Sequence, residues 1–382
     1  MRIVVCPDSF KGSLGSPEVG EAIRRGLFQA CPDFTVCVKP LADGGEGTVE
    51  AVVLAAGGEV RELEVTGPLW GKVQAKVGLL PDGTCVLELA QAAGLPLVPE
   101  TERNPRRTTT YGVGEMLRWA IEQGCRKIVL GVGGSATCDG GMGALSALGV
   151  RFLDDTGKEL EGTGENLSKI ACIDTSGLLC LPEGTEILIA SDVTNPLYGP
   201  LGAAYVYGPQ KGASPKDVAY LDQGLRHFAR IIETHLGVRV DELPGGGAAG
   251  GIVAGLYAFL GARVVPGMQL VAKLVGLEEA IAKADLVVTG EGRVDRQTFF
   301  GKVVAGVAEI CRKYRKPLVV LAGKILWEEL PELPEEIAGI FPIVDGPMSE
   351  KEAMEKAETL VERVAFVLGR MVRRLFQESV QT

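Results

Sequence analysis

Short apolar runs rich in β-branched residues alternate along the chain with stretches whose apolar positions recur at helical spacing. Four of these runs are predicted strands, at residues 3–6, 36–41, 128–132 and 286–288. Each is followed by a predicted loop of glycine, acidic and hydroxyl or basic residues, at residues 7–13, 42–48, 133–141 and 289–295. Strands separated by helices indicate parallel pairing, and ligands bind at the carboxyl ends of such strands. The pattern therefore predicts an α/β fold whose ligand site is built from these loops.

The periodicity changes between about residues 60 and 89, where short alternating runs predict antiparallel strands. A length of 382 residues favours two domains. We expect a parallel, flavodoxin- or Rossmann-like sheet domain formed by both chain ends, residues 1–62 and 270–382. A mixed α/β domain, residues 63–269, is expected to be inserted between them.

The end of the chain is predicted to form one long amphipathic helix over residues 349–376. Ser349 and Glu352 have the spacing of a capping box at its start. The apolar residues that follow recur on one face. These positions therefore form a face suited to packing.

The charge balance narrows the classes of partner. Lys and Arg number 39 and Asp and Glu 49, a net charge of −10, which disfavours binding to nucleic acid or to a membrane surface. The sequence contains neither a signal-peptide pattern nor an apolar run of about 18 residues, and its nine cysteines form no C-x-x-C pair, so a cytoplasmic location is expected. An acidic protein that binds an anion must concentrate its positive charge locally. Lys11, Arg293 and Lys302 are the candidates.

The scarcity of histidine limits the possible chemistry. Only two histidines occur, so catalysis by a Ser-His-Asp triad and a histidine-ligated metal are excluded. A general base must then be Asp, Glu, Lys or Cys. Carboxylates that accept a hydroxyl proton and bind Mg²⁺ are typical of phosphoryl transfer. The candidate carboxylates are Asp8, Asp43, Glu46, Asp139, Asp192, Glu291 and Asp295.

A dinucleotide-binding motif offers a second interpretation. Residues 131–136 satisfy G-x-G-x-x-A between a predicted strand and a predicted helix. An NAD-dependent dehydrogenase of a small hydroxy acid therefore stays open as an alternative. Asp139 argues against it, because this carboxylate in the same loop would repel a pyrophosphate. A non-catalytic sensor that binds sugar acids is a third possibility.

Several motifs resemble those of the bacterial type I glycerate kinase family. They are P-D-S-F-K-G-S-L at residues 7–14, A-D-G-G-E-G-T at 42–48, G-G-S-A-T at 133–137, D-V-T-N-P-L at 192–197, G-P-Q-K-G-A at 208–213, G-E-G-R at 290–293 and D-x-Q-T at 295–298. The resemblance implies ATP- and Mg²⁺-dependent phosphorylation of D-glycerate, usually to 2-phosphoglycerate. It also implies a two-domain scaffold with the active site in the cleft between the domains. A kinase that forms 3-phosphoglycerate stays open as an alternative.

Residue type and loop position suggest a role for each candidate. Lys11 and Arg293 are expected to bind the substrate carboxylate and the transferred phosphoryl group. Asp192 is the predicted base. The remaining assignments are Asp8, Ser9 and Asp43 to the substrate, Asp43, Glu46 and Glu291 to Mg²⁺, and Gly133, Gly134, Ser135, Thr137, Gly290 and Lys302 to ATP. D-Glycerate and ATP are the expected partners of a monomer or homodimer.

Overall fold

The computed structural model describes residues 1–299 and 302–379. They form alternating helices and strands, which confirms the α/β class. The chain divides into two compact units. The first contains Met1–Asp43, Glu50–Gly57 and the chain from Met268 onward, and the second contains Gly44–Val49 and Gly58–Gly267. Gly44–Val49, which lies inside the range predicted for the first domain, thus belongs to the second unit.

The strands of the described residues are β1 (Arg2–Val5), β2 (Thr35–Val38), β3 (Glu59–Thr66), β4 (Lys72–Leu79), β5 (Thr84–Glu88), β6 (Lys127–Gly131), β7 (Arg151–Leu153), β8 (Cys172–Asp174), β9 (Glu186–Ala190), β10 (Arg263–Val265), β11 (Leu286–Val294), β12 (Leu318–Ile325) and β13 (Ile337–Pro342). The α-helices are α1 (Ser16–Ala30), α2 (Thr48–Ala56), α3 (Ala90–Ala93), α4 (Tyr111–Glu122), α5 (Met142–Ala147), α6 (Ala203–Tyr207), α7 (Pro215–Leu236), α8 (Ile252–Leu260), α9 (Gly267–Leu274), α10 (Leu277–Ala282), α11 (Val303–Tyr314), α12 (Glu350–Glu355) and α13 (Ala357–Ser379).

The first unit contains a five-stranded sheet with the order β13-β12-β11-β1-β2, in which every neighbouring pair is parallel. Counted within this unit the order is 2-1-3-4-5, the flavodoxin-like doubly wound arrangement. The direction of winding changes between β1 and β11. Ligands of such sheets bind at the carboxyl ends of the strands that flank this change of direction.

Helices α1 and α13 pack against each other and against one face of this sheet. Ile3 and Val288 from the strands, Ile23 and Leu27 from α1 and Leu368 from α13 share one buried cluster. Helix α11 packs against β11 and β12. The core thus fixes the strands whose ends carry the candidate residues.

The second unit contains a six-stranded mixed sheet with the order β10-β9-β6-β5-β4-β3. The neighbours from β10 to β5 are parallel, whereas β4 is antiparallel to both β5 and β3. This confirms the antiparallel strands predicted between residues 60 and 89. A two-stranded sheet of β7 and β8 completes the strand pairing of this unit within the described residues.

Two local predictions were wrong. The fourth predicted loop is instead the second half of β11, because residues up to Val294 continue to pair with β12. The predicted terminal helix is divided at Lys356 into α12 and α13. The Ser13 hydroxyl donates to the Met354 carbonyl at 2.7 Å and so satisfies a carbonyl near the end of α12. The start was predicted correctly, since the Ser349 hydroxyl accepts the Glu352 N–H.

No helix in the described part of the chain is long and apolar enough to cross a membrane.

Candidate active site

A cavity of about 540 Å³ lies in the first unit, at the carboxyl ends of β1 and β11. Parallel strands end at the same edge of a sheet, so the residues that follow them converge there. Eight of the candidate residues line the cavity: Asp8, Ser9, Lys11, Asp43, Glu291, Arg293, Asp295 and Lys302. The structure therefore brings together residues from three distant parts of the sequence.

The loop after β1 is held against β11 by backbone hydrogen bonds. The Asp8 N–H donates to the Gly290 carbonyl at 2.8 Å, and the Asp8 carboxylate accepts the Ser9 N–H at 2.7 Å. Gly290 thus positions the loop through its backbone. Burial and the nearby negative charge of Asp43 together raise the pKa of Asp8 to about 6, against the opposing effects of the Ser9 hydrogen bonds and Lys11.

Glu291 and Arg293 project from the same face of β11, because side chains alternate along a strand. The buried hydroxyl of Thr298 donates to the Glu291 carboxylate and accepts the Asp295 N–H at 3.0 Å. Burial, together with the charges of Asp8 and Asp295, raises the pKa of Glu291 to about 7. The hydrogen bond from Thr298 and the charge of Lys302 oppose this rise. At neutral pH a substantial fraction of Glu291 is therefore protonated.

The positive side chains of the cavity are more exposed than its carboxylates. Arg293 has a side chain that is 57% exposed, and its Nε lies 3.1 Å from an Asp295 carboxylate oxygen. The Lys302 ammonium lies 3.4 Å from the Gln297 side-chain oxygen, and Lys11 is exposed. Lys11 and Arg293 are thus exposed to solvent, whereas Asp8 and Glu291 are buried.

The predicted metal ligands are divided between the two units. Asp43 and Glu291 line the cavity with Asp8, whereas Glu46 lies beside Gly134 in the second unit. No group of three or more His, Cys, Asp or Glu side chains among the residues described is arranged as a ready-made metal site. The clustered carboxylates nonetheless carry the excess negative charge that a divalent cation would neutralise.

The predicted phosphate loop, residues 133–141, follows β6 in the second unit. Some of its N–H groups are already used in hydrogen bonds within the protein. The N–H groups of Gly133, Ala136 and Gly140 donate within the protein, at 3.1, 2.8 and 3.0 Å. A Cβ on Gly133 would lie 2.7 Å from the Gly45 Cα, so this close backbone contact requires glycine.

Two buried charged residues organise the same loop. The Lys211 ammonium donates to the Ser135 hydroxyl and to the Thr137 carbonyl, both at 2.7 Å. The Asp139 carboxylate accepts the N–H groups of Gly141 and Gly143 at 3.1 and 3.2 Å. Ser135 and Thr137 are themselves buried. The assignment of Gly133, Gly134, Ser135, Thr137 and Gly290 to ATP stays a prediction.

Asp192, the predicted base, follows β9 in the second unit and is exposed. One of its carboxylate oxygens accepts the Gly267 N–H at 2.9 Å. This bond fixes the side chain at the carboxyl end of the strand. Its role as base stays a prediction.

Comparison with known proteins identifies the family. Residues 3–373 match the family model described as the glycerate kinase family. This chain belongs to the glycerate kinase family. It is 47% identical over 326 residues to the glycerate 2-kinase of Escherichia coli, covering 85% of this chain and 86% of that protein. It is 44% identical over 364 residues to a glycerate kinase of Halalkalibacterium halodurans, covering 95% and 96%.

A crystal structure from Salmonella typhimurium LT2, described as a candidate glycerate kinase 2, has a TM-score of 0.88 to this chain. The two sequences are 42% identical, and the similarity covers 99% of each chain. Membership of the glycerate kinase family therefore holds at the level of sequence and of fold. This membership does not favour the interpretation of residues 131–136 as a dinucleotide-binding motif of a dehydrogenase.

Sequence reasoning missed three buried polar residues that shape the sites of this glycerate kinase family member. They are Thr298 beside Glu291, Lys211 beside Ser135, and Glu88, which accepts the Val49 N–H at 2.6 Å. The only signal for Thr298 and Lys211 was their position within the motifs of the resemblance. The only signal for Glu88 was its position at the end of a buried strand.

Proposed function

We propose that this chain catalyses the ATP-dependent phosphorylation of D-glycerate to 2-phosphoglycerate. The observation that carries the proposal is the cavity of the first unit, which combines cationic Lys11, Arg293 and Lys302 with a cluster of carboxylates. A kinase requires this combination. Positive groups bind the substrate anion and the transferred phosphoryl group, while carboxylates bind the metal or accept a proton.

Arg293 and Lys11 bind the carboxylate of D-glycerate and the negative charge that develops on the phosphoryl group. Charge-assisted hydrogen bonds of this kind are shorter and stronger than neutral ones, and they stabilise the transition state where charge accumulates. Ser9 and Asp8 orient the substrate hydroxyls, since the loop after β1 is held in place by Gly290. The expected reaction is direct in-line transfer of the phosphoryl group from ATP.

Asp192 accepts the proton of the attacking hydroxyl in this proposal. A positioned carboxylate that accepts the substrate proton is a recurring part of phosphoryl transfer. The bond from the Gly267 N–H orients this side chain.

Asp43 and Glu291 would hold Mg²⁺ in the cavity of the first unit, and the assignment of Glu46 to the ion stays a prediction. The fit rests on the surplus of negative charge in the cavity, where Asp43 raises the pKa of Asp8, and Asp8 raises that of Glu291. When bound, the ion neutralises charge on the phosphates. The residues of this chain supply the oxygen ligands that such a hard cation prefers.

The experiment is an ADP-release assay with D-glycerate and Mg-ATP, followed by phosphorus NMR of the product. Release that depends on D-glycerate, with a 2-phosphoglycerate resonance, supports the proposal. A 3-phosphoglycerate resonance would instead establish the alternative regiochemistry. Binding of D-glycerate without ADP release would overturn the kinase and favour a sensor. Sedimentation would test the predicted monomer or homodimer.

A further inference from the structure

The cavity of the first unit has an apolar half that the substrate assignments leave unused. Ile343 and Val344, which follow β13, line it together with Met348 and, from α12, Ala353 and Met354. D-Glycerate is a three-carbon acid that carries hydroxyl and carboxylate groups, so it has almost no apolar surface to place there. A volume of about 540 Å³ is also typical of sites that enclose a much larger ligand.

The floor of this apolar half belongs to the core of the unit. Phe10, Ile343 and Ala357 are 3%, 2% and 2% exposed, and all three share the buried cluster of α1 and α13. Met354 at the rim is 38% exposed. A rigid floor beneath an adaptable methionine suits a flat aromatic ring, because sulfur–aromatic contacts are favourable and methionine adjusts its shape.

In the charged half of the cavity, two positively charged residues stand opposite each other on neighbouring strands. Arg293 in β11 and Lys324 in β12 are paired across the parallel strands, and both line the cavity. Like charges opposite each other on neighbouring strands destabilise a sheet. Lys302 adds a third positive charge to the lining. Asp295 pairs with Arg293, and a bound polyanion would offset the remaining positive charge of Lys302 and Lys324.

We propose that the apolar half binds the purine base of ATP, with the triphosphate directed toward Arg293, Lys302 and Lys324. This inference rests on the proposed phosphorylation of D-glycerate and deepens it, since it assigns the base to the first unit. Apolar walls for a ring beside convergent cations are the general features of a nucleotide pocket. The loop of residues 133–141 is less suited to bind the nucleotide, because several of its N–H groups already donate hydrogen bonds within the protein.

The test is to fill the apolar half and measure nucleotide binding directly. Ala353 is half-buried in the lining, so Ala353→Phe places a ring where the base would lie. Ala338→Phe is the matched control, because Ala338 is exposed in β13 and does not line the cavity. Calorimetric titration with ADP, in the absence of D-glycerate, should show at least a roughly tenfold higher Kd for Ala353→Phe alone.

Steady-state kinetics give a second readout. Ala353→Phe should raise the KM for ATP while the KM for D-glycerate changes less than about twofold, since the polar half is untouched. If Ala353→Phe does not fold, Met348→Ala replaces it and should weaken ADP binding by roughly threefold or more through lost contact with the ring. Equal ADP affinities of the Ala353→Phe and Ala338→Phe proteins, or of Met348→Ala and the unmodified protein, would overturn the inference.

Failure of the inference is distinguishable from failure of the proposed function. Formation of phosphoglycerate by the unmodified protein, with ADP binding unaffected by Ala353→Phe, would retain the kinase and reject this base site. ADP binding that Ala353→Phe weakens, in a protein that forms no phosphoglycerate, would retain the base site and reject the substrate.

Discussion

The carboxylate of Asp139 accepts both the N–H and the hydroxyl of Thr110, at 2.9 and 2.7 Å, in the interior of the second unit. Two further N–H groups, of Gly141 and Gly143, donate to the same carboxylate. These bonds tie the start of α4 to the start of α5. Asp139 was a candidate for catalysis in the sequence, whereas its four donors show a structural function.

Asp139→Asn should therefore destabilise the protein without directly removing a catalytic group. The amide NH₂ would face donors in place of an acceptor oxygen, so we expect a loss of about 2–4 kcal/mol in the free energy of unfolding. Urea denaturation measures this loss. Asp155→Asn, at an exposed position, is the control and should be near neutral. Equal stability of the two variants would contradict the structural function.

The buried Lys211 ammonium should make stability depend on pH. Burial lowers the pKa of Lys211 from its ordinary value of 10.5 to about 8. Between pH 8 and pH 10.5 the unfolded chain holds more protons than the folded protein, so the free energy of unfolding rises with pH. Well below pH 8 both states are protonated, and the full cost of burying the charge is then present. Relative to Lys211→Met, the unmodified protein should gain about 1 kcal/mol between pH 8 and pH 9.

Parallel urea titrations at pH 7, 8 and 9 measure this difference. Comparison with Lys211→Met removes the common contribution of cysteines and tyrosines. Lys216→Met, at an exposed position just inside α7, is the control and should follow the unmodified protein. A constant difference between Lys211→Met and the unmodified protein at all three pH values would contradict a lowered pKa in the folded state.

The sequence predicted the elements whose periodicity is local. Strands β1 and β6 lie within one residue of the runs predicted at 3–6 and 128–132, because a local run of apolar, β-branched residues forms each of them. Placing Asp8, Asp43 and Glu291 at one site needed only the rule that parallel strands end together. The cavity of the first unit confirms that these three residues converge.

The structural features that the sequence did not predict depend on long-range contacts. Strand β11 continues through Gly290 to Val294 because β12 lies beside it, and no local signal marks that pairing. The division at Lys356 accompanies a hydrogen bond from Ser13, far away in the sequence. The N–H groups around Gly133 are occupied by carbonyls of distant segments, such as Gly44. Local chemistry does not reveal which donors are already used.

Arg293→Met should impair substrate binding. The guanidinium lines the cavity, and loss of a hydrogen bond to a charged partner costs about 1.5–3 kcal/mol. We expect the KM for D-glycerate to rise by roughly 10- to 100-fold. Steady-state kinetics at saturating ATP measure this. Arg373→Met, at an exposed position in α13, is the control. An unchanged KM would remove Arg293 from the substrate site.

Asp192→Asn tests the predicted base. The amide can keep the bond from the Gly267 N–H through its oxygen, but it cannot accept a proton, so turnover should fall by about 10²- to 10⁴-fold. ADP binding, followed by calorimetry, should be unchanged. Asp155→Asn serves again as the exposed control. Turnover near that of the control would exclude Asp192 as the base.

Thr298→Val should shift the pH dependence of catalysis through Glu291. The Thr298 hydroxyl donates to the Glu291 carboxylate and lowers its pKa, which burial raises to about 7. Removing this donor should raise the pKa further, so the acid limb of kcat should move to higher pH if the ionised carboxylate is required. Thr298→Ser keeps a hydroxyl and should restore the original limb. A lower kcat with an unmoved limb would show that Thr298 acts only in packing.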